Sequence, residues 1–538
     1  MDAMREVLRH MIGWGFTKVD PQPNPSWLAM AGELTTATQG TVQCDVWIDR
    51  SFERPLQLWL TGAPKTLPRL VPHLSPDGYL CYAAPGTEVI DIYDPVGQTR
   101  TSLLQATDVL EQILAGKMKE DLQEEFFVYW NGRYCFHDIE RRSSGPLEVL
   151  QLSDNRFYVL TDDVERSRLK FARAGRTIMG FHTRVEMITS SAAPRPLQKN
   201  WPPKTVGHIL DWQAEMGDAC RRKIRDKIIA AYRDDQPNVL IVIESQKTGY
   251  SYGFLVSDLQ ARRPQDQRST DQSLPIFGCP VELLSMVRLD DKYLSERNIP
   301  GQKTFSGKRI GMIGCGTIGG FLAEMLVKAG AGTGGGELLL IDNDMLMPQN
   351  LGRHRLGFNH LFGDKAVALG DELKVAMPSA RISPFSSDAK DVNLAGLDLL
   401  IDATGEESFG HWLAKAASCP TLHVWIEGAG VAARTLIRHC PEQGCFRCLT
   451  ADNRRGNLLS VVGGVKPIYA GQGCEGLYVP FAASVSIQAA ALALDTALAW
   501  VAGKPWPSLS TRLTDHGYEL ATPDCSPLPD VECPACRS

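Results

Sequence analysis

The chain has 538 residues, and 56 basic against 62 acidic side chains leave a formal charge of −6. That length exceeds what one hydrophobic core fills, so about three structural units are expected. The mild acidic balance gives no long-range attraction to nucleic acid or to an anionic membrane, which leaves a protein or small molecule as the expected partner.

The N-terminal "MDAMREVLRHMIGWGF" is patterned as an amphipathic helix over residues 2–13 and has no signal-peptide architecture. The fourteen cysteines are therefore expected as thiols in a reducing, cytoplasmic setting. Alternating segments such as "GTVQCDVWI" and "LQLWLTG" predict an antiparallel sheet, and a helical pattern over 102–115 completes a small α+β unit, residues 1–141. Within it "VPHLSPDGYLC" (71–81) passes through a turn and ends at Cys81, readable as a buried strand cysteine or as a presented thiol. Residues 142–300 contain the strand-like "NVLIVIES" and "SYGFLVSDL" and the loop-like tract "QARRPQDQRSTDQS" (260–273), but no chemical motif. They are expected to form a connecting α/β or α+β domain with no role assigned.

From Lys308 the pattern becomes strand, glycine turn, helix, strand ("KRIGMIG", "CGTIGG", "FLAEMLVKAG", "GELLLID"), the βαβ unit of a Rossmann-like, doubly wound sheet in a third domain, 301–538. Gly314, Gly316 and Gly319 have G-x-G-x-x-G spacing and Asp342 ends the next strand. Small residues there let backbone amides approach a phosphate, and the carboxylate can accept from ribose hydroxyls. Alone, the glycines read by default as those of a dinucleotide-binding dehydrogenase. The residues downstream of them favour nucleotidyl transfer: Asp342, Asp344, Asn350 and Arg353 in "IDNDMLMPQNLGRHRLG", then Lys365, then Asp402 in "LLIDATG". Arg and Lys neutralise phosphates and an Asp can hold magnesium, whereas hydride transfer needs no such cluster. Cys315, inside the glycine turn, reads as structural.

Two C-x-x-C knuckles, Cys445/Cys448 and Cys533/Cys536, offer the four thiolates that structural zinc prefers. A redox pair is the competing reading, without the thioredoxin-like context it needs. Cys474 stands in the glycine-rich "GQGCEGLYVPF", where a thiol can be presented without packing. The Ala-rich 479–503 carries Gln488 and Asp495 and reads as a buried helix, not a membrane span.

The series D-x-D-x₅-N-L-x-R-[QH], with Lys365 and Asp402 after it, resembles the adenylation domain of the ThiF, MoeB and ubiquitin-activating family. That resemblance implies that Gly314, Gly316 and Gly319 cradle ATP and Asp342 binds the ribose. It also implies that Asn350, Arg353 and Lys365 hold the phosphates and Asp402 the magnesium, while a carrier protein's C-terminal carboxylate attacks the α-phosphate. Such families also carry a zinc site, pair as homodimers and, in ubiquitin-activating members, pass the acyl group to a cysteine. Cys474 is the expected acceptor, with Cys440 and Cys525 as alternatives.

The stretch 71–81 resembles the H-P-N-[IV]-x-x-x-G-x-[IL]-C motif of ubiquitin-conjugating enzymes: Pro72, Gly78 and Cys81 match, and Leu74 and Leu80 are conservative. Val71 replaces the His, and His73 occupies the place of the oxyanion-stabilising Asn. The resemblance implies that Cys81 is the conjugating thiol and His73 its donor. Together the two ends resemble bacterial fusion proteins of anti-phage CBASS operons. These are expected to join the C-terminal carboxylate of a cGAS-like nucleotidyltransferase to target lysines, using ATP, magnesium and zinc. The alternatives are conjugation of a separate ubiquitin-like protein, or a sulfur-carrier adenylyltransferase with a non-catalytic N-terminal scaffold.

Overall fold

The computed structural model describes residues 3–62, 67–68, 70–75, 77–84, 86–87, 90–140, 146–197, 199–261, 275–466, 468–471 and 478–536. Cys474 and nearly all of the 260–273 tract lie outside the described residues. The chain forms two compact units, each discontinuous in sequence: Met1–Cys135 with His182–Met286, and Phe136–Phe181 with Val287–Ser538.

In the first unit the strands Trp27–Thr36, Gly40–Asp49 and Gln57–Leu60 make an antiparallel meander with a short edge strand, Thr17–Lys18. The register pairs Leu28 with Ile48 and Val46 with Leu58, so one face is apolar at every second residue. Helices Ala3–Gly13 and Pro95–Leu114 cover that face with Val7, Met11, Leu103, Ala106 and Leu110. The second helix begins at Pro95, ahead of the expected 102. Asp94 caps it by accepting from the Gly97 amide at 2.9 Å, and Pro95 sits where no N–H is needed.

The same unit contains the strands Arg184–Ser190, Val239–Ser245, Ser251–Val256 and all but the last two residues of Val281–Arg288, the first two parallel and the others antiparallel. Val239 to Ile243 are all fully buried, which explains the unbroken apolar run of "NVLIVIES". Helix Asp218–Arg233 turns Ile224, Ile228 and Ala231 onto this sheet. Beside them Phe126, Trp130, Trp212 and Tyr252 form an aromatic core, with Trp130 and Trp212 centroids 5.0 Å apart and Phe126 5.3 Å from Trp130.

The second unit holds the expected doubly wound sheet. Its parallel strands lie in the order Ile382–Phe385, Glu337–Ile341, Arg309–Ile313, Leu399–Asp402, Thr421–Glu427, and the antiparallel Ala432–Arg438 and Leu509–Leu513 extend one edge. Alternate residues serve opposite faces. Ile310, Met312, Leu338 and Leu340 join a core with helices Thr317–Lys328, Lys365–Ala376 and Ala483–Ala502, whereas Ile313, Leu339 and Ile341 meet helix Glu407–Ala416. Helix Ala483–Ala502 is long and apolar enough to cross a membrane, yet Ala489, Ala490, Leu492, Ala493 and Ala497 are buried in this core, as its small residues suggest. A smaller set of strands, Glu148–Leu152, Tyr158–Thr161 and Ile178–Gly180, also belongs to this unit with helix Val164–Arg173. Here the buried Asp138 is matched by Lys170 at 2.8 Å and Arg166 at 3.4 Å.

Gly319 is where helix Thr317–Lys328 crosses the preceding turn, and a Cβ there would lie 1.8 Å from the Gly314 carbonyl oxygen. The approach is backbone on backbone and cannot relax by a rotamer change. Gly319→Ala is therefore expected to lower the melting temperature through a loss of about 1–3 kcal/mol and to weaken nucleotide binding, both readable by thermal shift with and without ATP.

Candidate active site

Sheet order reverses between Arg309–Ile313 and Leu399–Asp402, where Ile313 and Asp402 are register partners. A crevice opens at such a point beyond the carboxyl ends of the strands. It measures about 430 Å³ and is lined among others by Gly314, Gly316, Asp342, Asp344, Lys365 and Thr404. Gly314 has φ +89°, and a Cβ on it would come within 2.9 Å of the Ala403 carbonyl carbon. At Gly316 a Cβ would meet nothing within 4 Å, so the turn is open on the cleft side. Gly316 begins helix Thr317–Lys328 with no side-chain cap, leaving the first amides free to meet an anion.

Asp342 accepts from the amides of Cys315 at 2.6 Å and Asp344 at 2.8 Å, and burial raises its pKa against those bonds. Lys365, the first residue of its helix and nearly buried, reaches Asp344 at 2.7 Å. Asp402 is 4% exposed. Its Oδ1 accepts from the Thr404 amide at 3.0 Å and hydroxyl at 2.7 Å, and its Oδ2 lies 2.9 Å from His423 Nδ1. It stands directly behind the wall that Ala403 and Thr404 contribute to the cleft.

Asn350 and Arg353 are placed differently. Asn350 closes its own turn by accepting from the Met347 amide at 2.9 Å. Arg353 donates to the Val479 carbonyl at 2.9 Å and lies over the Phe481 ring at 4.3 Å, with Nε buried and without a hydrogen-bond partner among the described residues. Neither lines the cleft. Burial pulls the Arg353 pKa down. Next to it, His354 spans 2.8 Å from Nε2 to the Cys315 carbonyl, and burial lowers its pKa to about 4, so it fixes the glycine turn as a neutral ring. Cys315 is fully buried with its pKa pushed well up, in keeping with packing. The motif gave no role to His354, nor to Ser387, Lys390 and Ser408, which also line the cleft from segments without a recognisable pattern.

The four knuckle cysteines converge. Cys445 Sγ is 3.6 Å from Cys448 and 3.7 Å from Cys533, and Cys448 is 3.7 Å from Cys536. A tetrahedron of sulfurs about 2.3 Å from a central zinc has edges of about 3.8 Å, so the donors fit that ion, and the spacing is too long for disulfides. Cys440 and Cys525 stand outside this cluster, and burial is the main cause raising both their pKa values.

In the first unit Cys81 follows a tight loop. The Leu80 amide donates to Leu58 and the Cys81 amide to the His73 carbonyl, both at 2.8 Å. Gly78 is required at φ +90°, because a Cβ would come within 2.5 Å of the Leu60 carbonyl oxygen. The thiol is half-buried and its pKa is raised, first by burial and then by the Glu125 carboxylate. His73 has φ +59°. Its ring meets Asp121 at 3.1 Å through Nε2 and Glu125 at 2.9 Å through Nδ1, so both nitrogens engage carboxylates. The structure thus brings His73 and Cys81 together through the backbone and adds Asp121 and Glu125. Their signal in sequence was only an acidic run ahead of the aromatic anchor Phe126.

The chain matches the family models described as ThiF family over residues 292–535 and Prokaryotic E2 family B over 30–134. It is 45% identical to an ATP-dependent ubiquitin transferase-like protein Cap2 of Pseudomonas aeruginosa, covering 100% of this chain and 99% of that one. A Cap2 of Vibrio cholerae is 26% identical, with 92% and 94% covered. The crystal structure of E. coli MccB with ATP aligns with TM-score 0.33 and 17% identity over 43% of this chain and 67% of that chain.

Because Glu125 opposes the Cys81 thiolate, Glu125→Gln is expected to lower the thiol pKa. Alkylation of Cys81 by iodoacetamide at pH 8, followed by mass spectrometry of its peptide, should then accelerate several-fold, up to about tenfold. An unchanged rate would mean that burial alone sets the thiol.

Proposed function

The chain belongs to the family of ATP-dependent ubiquitin transferase-like proteins, and on that premise we propose a complete relay from ATP to lysine. It is an enzyme that couples ATP-dependent activation to conjugation, with a ThiF-type region and an E2-like region. In the relay a carrier protein's C-terminal carboxylate attacks the α-phosphorus of ATP and pyrophosphate leaves, giving an acyl adenylate. A cysteine thiolate then attacks the acyl carbon and releases AMP. Transfer to Cys81 exchanges one thioester for another, and attack by a lysine amine forms the amide while the Cys81 sulfur leaves and the amine proton passes to solvent.

The observation that carries this reading is the cleft at the strand-order reversal, with glycine amides, Asp342, Asp344 and Lys365 on its wall and Asp402 behind it. Gly314, Gly316 and Gly319 would let the phosphates approach the helix amides, Asp342 would accept from the ribose, and Lys365 would offset phosphate charge. Asn350 and Arg353, which do not line the cleft here, are proposed to hold the phosphates with Lys365, and Asp402 would hold magnesium, which neutralises charge on the phosphates when bound. Zinc would occupy Cys445, Cys448, Cys533 and Cys536 as a structural ion. Cys474 is the proposed first acceptor, and His73 is proposed to assist Cys81. The carrier is proposed to be a cGAS-like nucleotidyltransferase acting in cytoplasmic anti-phage defence, the enzyme a homodimer, and the chain three domains, 1–141, 142–300 and 301–538.

ATP–pyrophosphate exchange should require the carrier's free carboxylate and fall at least about 10²-fold in Asp402→Ala. Cys81→Ala should retain exchange and form no lysine product, and persistent lysine product on denaturing gels would remove Cys81 from the relay. Elemental analysis of chelator-free protein should find one zinc per chain, lost in a Cys448→Ala, Cys536→Ala double variant together with part of the thermal unfolding cooperativity.

A further inference from the structure

His423 takes no part in the relay from ATP to lysine, yet its placement is unusually constrained. It is the register partner of Asp402 on the adjacent parallel strand, and 3% of its side chain is exposed. Its Nδ1 is 2.9 Å from Asp402 Oδ2. An ionised carboxylate has no proton to give, so this nitrogen carries the hydrogen and donates. The ring lies face to face with Phe446, centroids 4.6 Å apart and planes at 27°. Phe446 follows Cys445 and is itself fixed: a Cβ on Gly410 would come within 2.6 Å of its ring, and Trp425 meets it edge-on at 5.5 Å.

We propose that His423 is a positioning residue for the activation chemistry: it fixes the rotation of the Asp402 carboxylate, and Phe446 ties that orientation to the Cys445 knuckle. The proposal rests on the reading of Asp402 as the acid that holds magnesium. Asp402 Oδ1 accepts from two donors of Thr404, which restrain rotation about the bond to Cβ, but both donors belong to one residue of the same loop. The His423 donor on Oδ2 holds the second oxygen from the adjacent strand and leaves Oδ2 one acceptor position in a set direction. A hydrogen bond from a buried imidazole thus orients a metal-binding oxygen, and the ring's own orientation is set by the stack. Phe446 extends the chain of contacts to Cys445, so the four-cysteine cluster acts on the cleft as well as on the C-terminal segment.

The test uses the full chain and the magnesium concentration needed for half-maximal ATP–pyrophosphate exchange, together with calorimetric ATP binding with and without magnesium. His423→Leu and His423→Gln should raise the magnesium requirement about 10–100-fold and weaken ATP binding only when magnesium is present. His423→Asn, whose amide can reach the place of Nδ1, should stay near wild type, while a Gln amide reaches the place of Nε2. Phe446→Leu should show an intermediate rise with zinc content unchanged. Equal behaviour of the Asn and Gln variants would overturn the proposal, and this comparison holds even if the Leu variant does not fold. An unchanged magnesium requirement in a folded Leu variant would also overturn it. Asp402→Asn separates the role of the acid from that of the imidazole. If it keeps exchange and magnesium dependence, the reading of Asp402 fails. If it loses them while the Leu and Gln variants do not, only the role of His423 fails.

Discussion

Two strands that lie side by side, Arg309–Ile313 and Leu399–Asp402, send the chain in opposite directions: the helix after the first covers one face of the sheet and the helix after the second covers the other. Backbone can then fill neither side of the space above their ends. Glycines and short polar side chains are the residues that can border such a gap without closing it, because Cβ atoms at Gly314 and Gly319 would strike backbone. The same geometry aims the free amides of a helix start at the opening while two carboxylates end the neighbouring strands. In the proposed reading, attraction for phosphate would come from these backbone dipoles together with Lys365, and the acids would serve hydroxyls and cations.

The thiol of the first unit follows a different logic. Burial and Glu125 both disfavour its ionised form, which reduces the fraction present as thiolate. If Cys81 receives the acyl group as proposed, the neighbouring carboxylate would slow its capture by lowering the thiolate fraction. His73 is held by the loop's conformation. Histidine, like asparagine, visits the left-handed region more readily than most residues, and at φ +59° its backbone amide is bound by Glu125. This gives a conformational reason why His and Asn can occupy the same motif position.

Legibility in sequence followed whether neighbours along the chain are neighbours in space. The βαβ pattern, the glycine spacing and Asp342 were readable because strand, turn and helix are consecutive, and the knuckle cysteines because metal chemistry requires their spacing. The α+β character of the N-terminal unit came from alternation in "GTVQCDVWI", although the start of helix Pro95–Leu114 was placed late because its cap outweighs weak periodicity. The residues without a sequence signal reach their sites across long sequence distances. Asp121 and Glu125 meet His73 only because Phe126 and Trp130 anchor in an aromatic core, and His423 meets Asp402 only through strand register. Arg353 was legible as a motif member, but not its attachment to Val479 and Phe481.

The sulfur cluster joins two knuckles separated by 88 positions from Cys445 to Cys533, and helix Ala483–Ala502 and strand Leu509–Leu513 lie inside that span. Any ion bound there makes the span a closed ring. Ring closure of this length removes conformational entropy from the unfolded chain worth on the order of 4–5 kcal/mol by the cross-link estimate, independent of any contact in the folded state. The Ala-rich helix offers little side-chain bulk to hold it in place, so its residence in the core is reinforced by topology: it cannot diffuse away while both ends of its segment are clamped to one point.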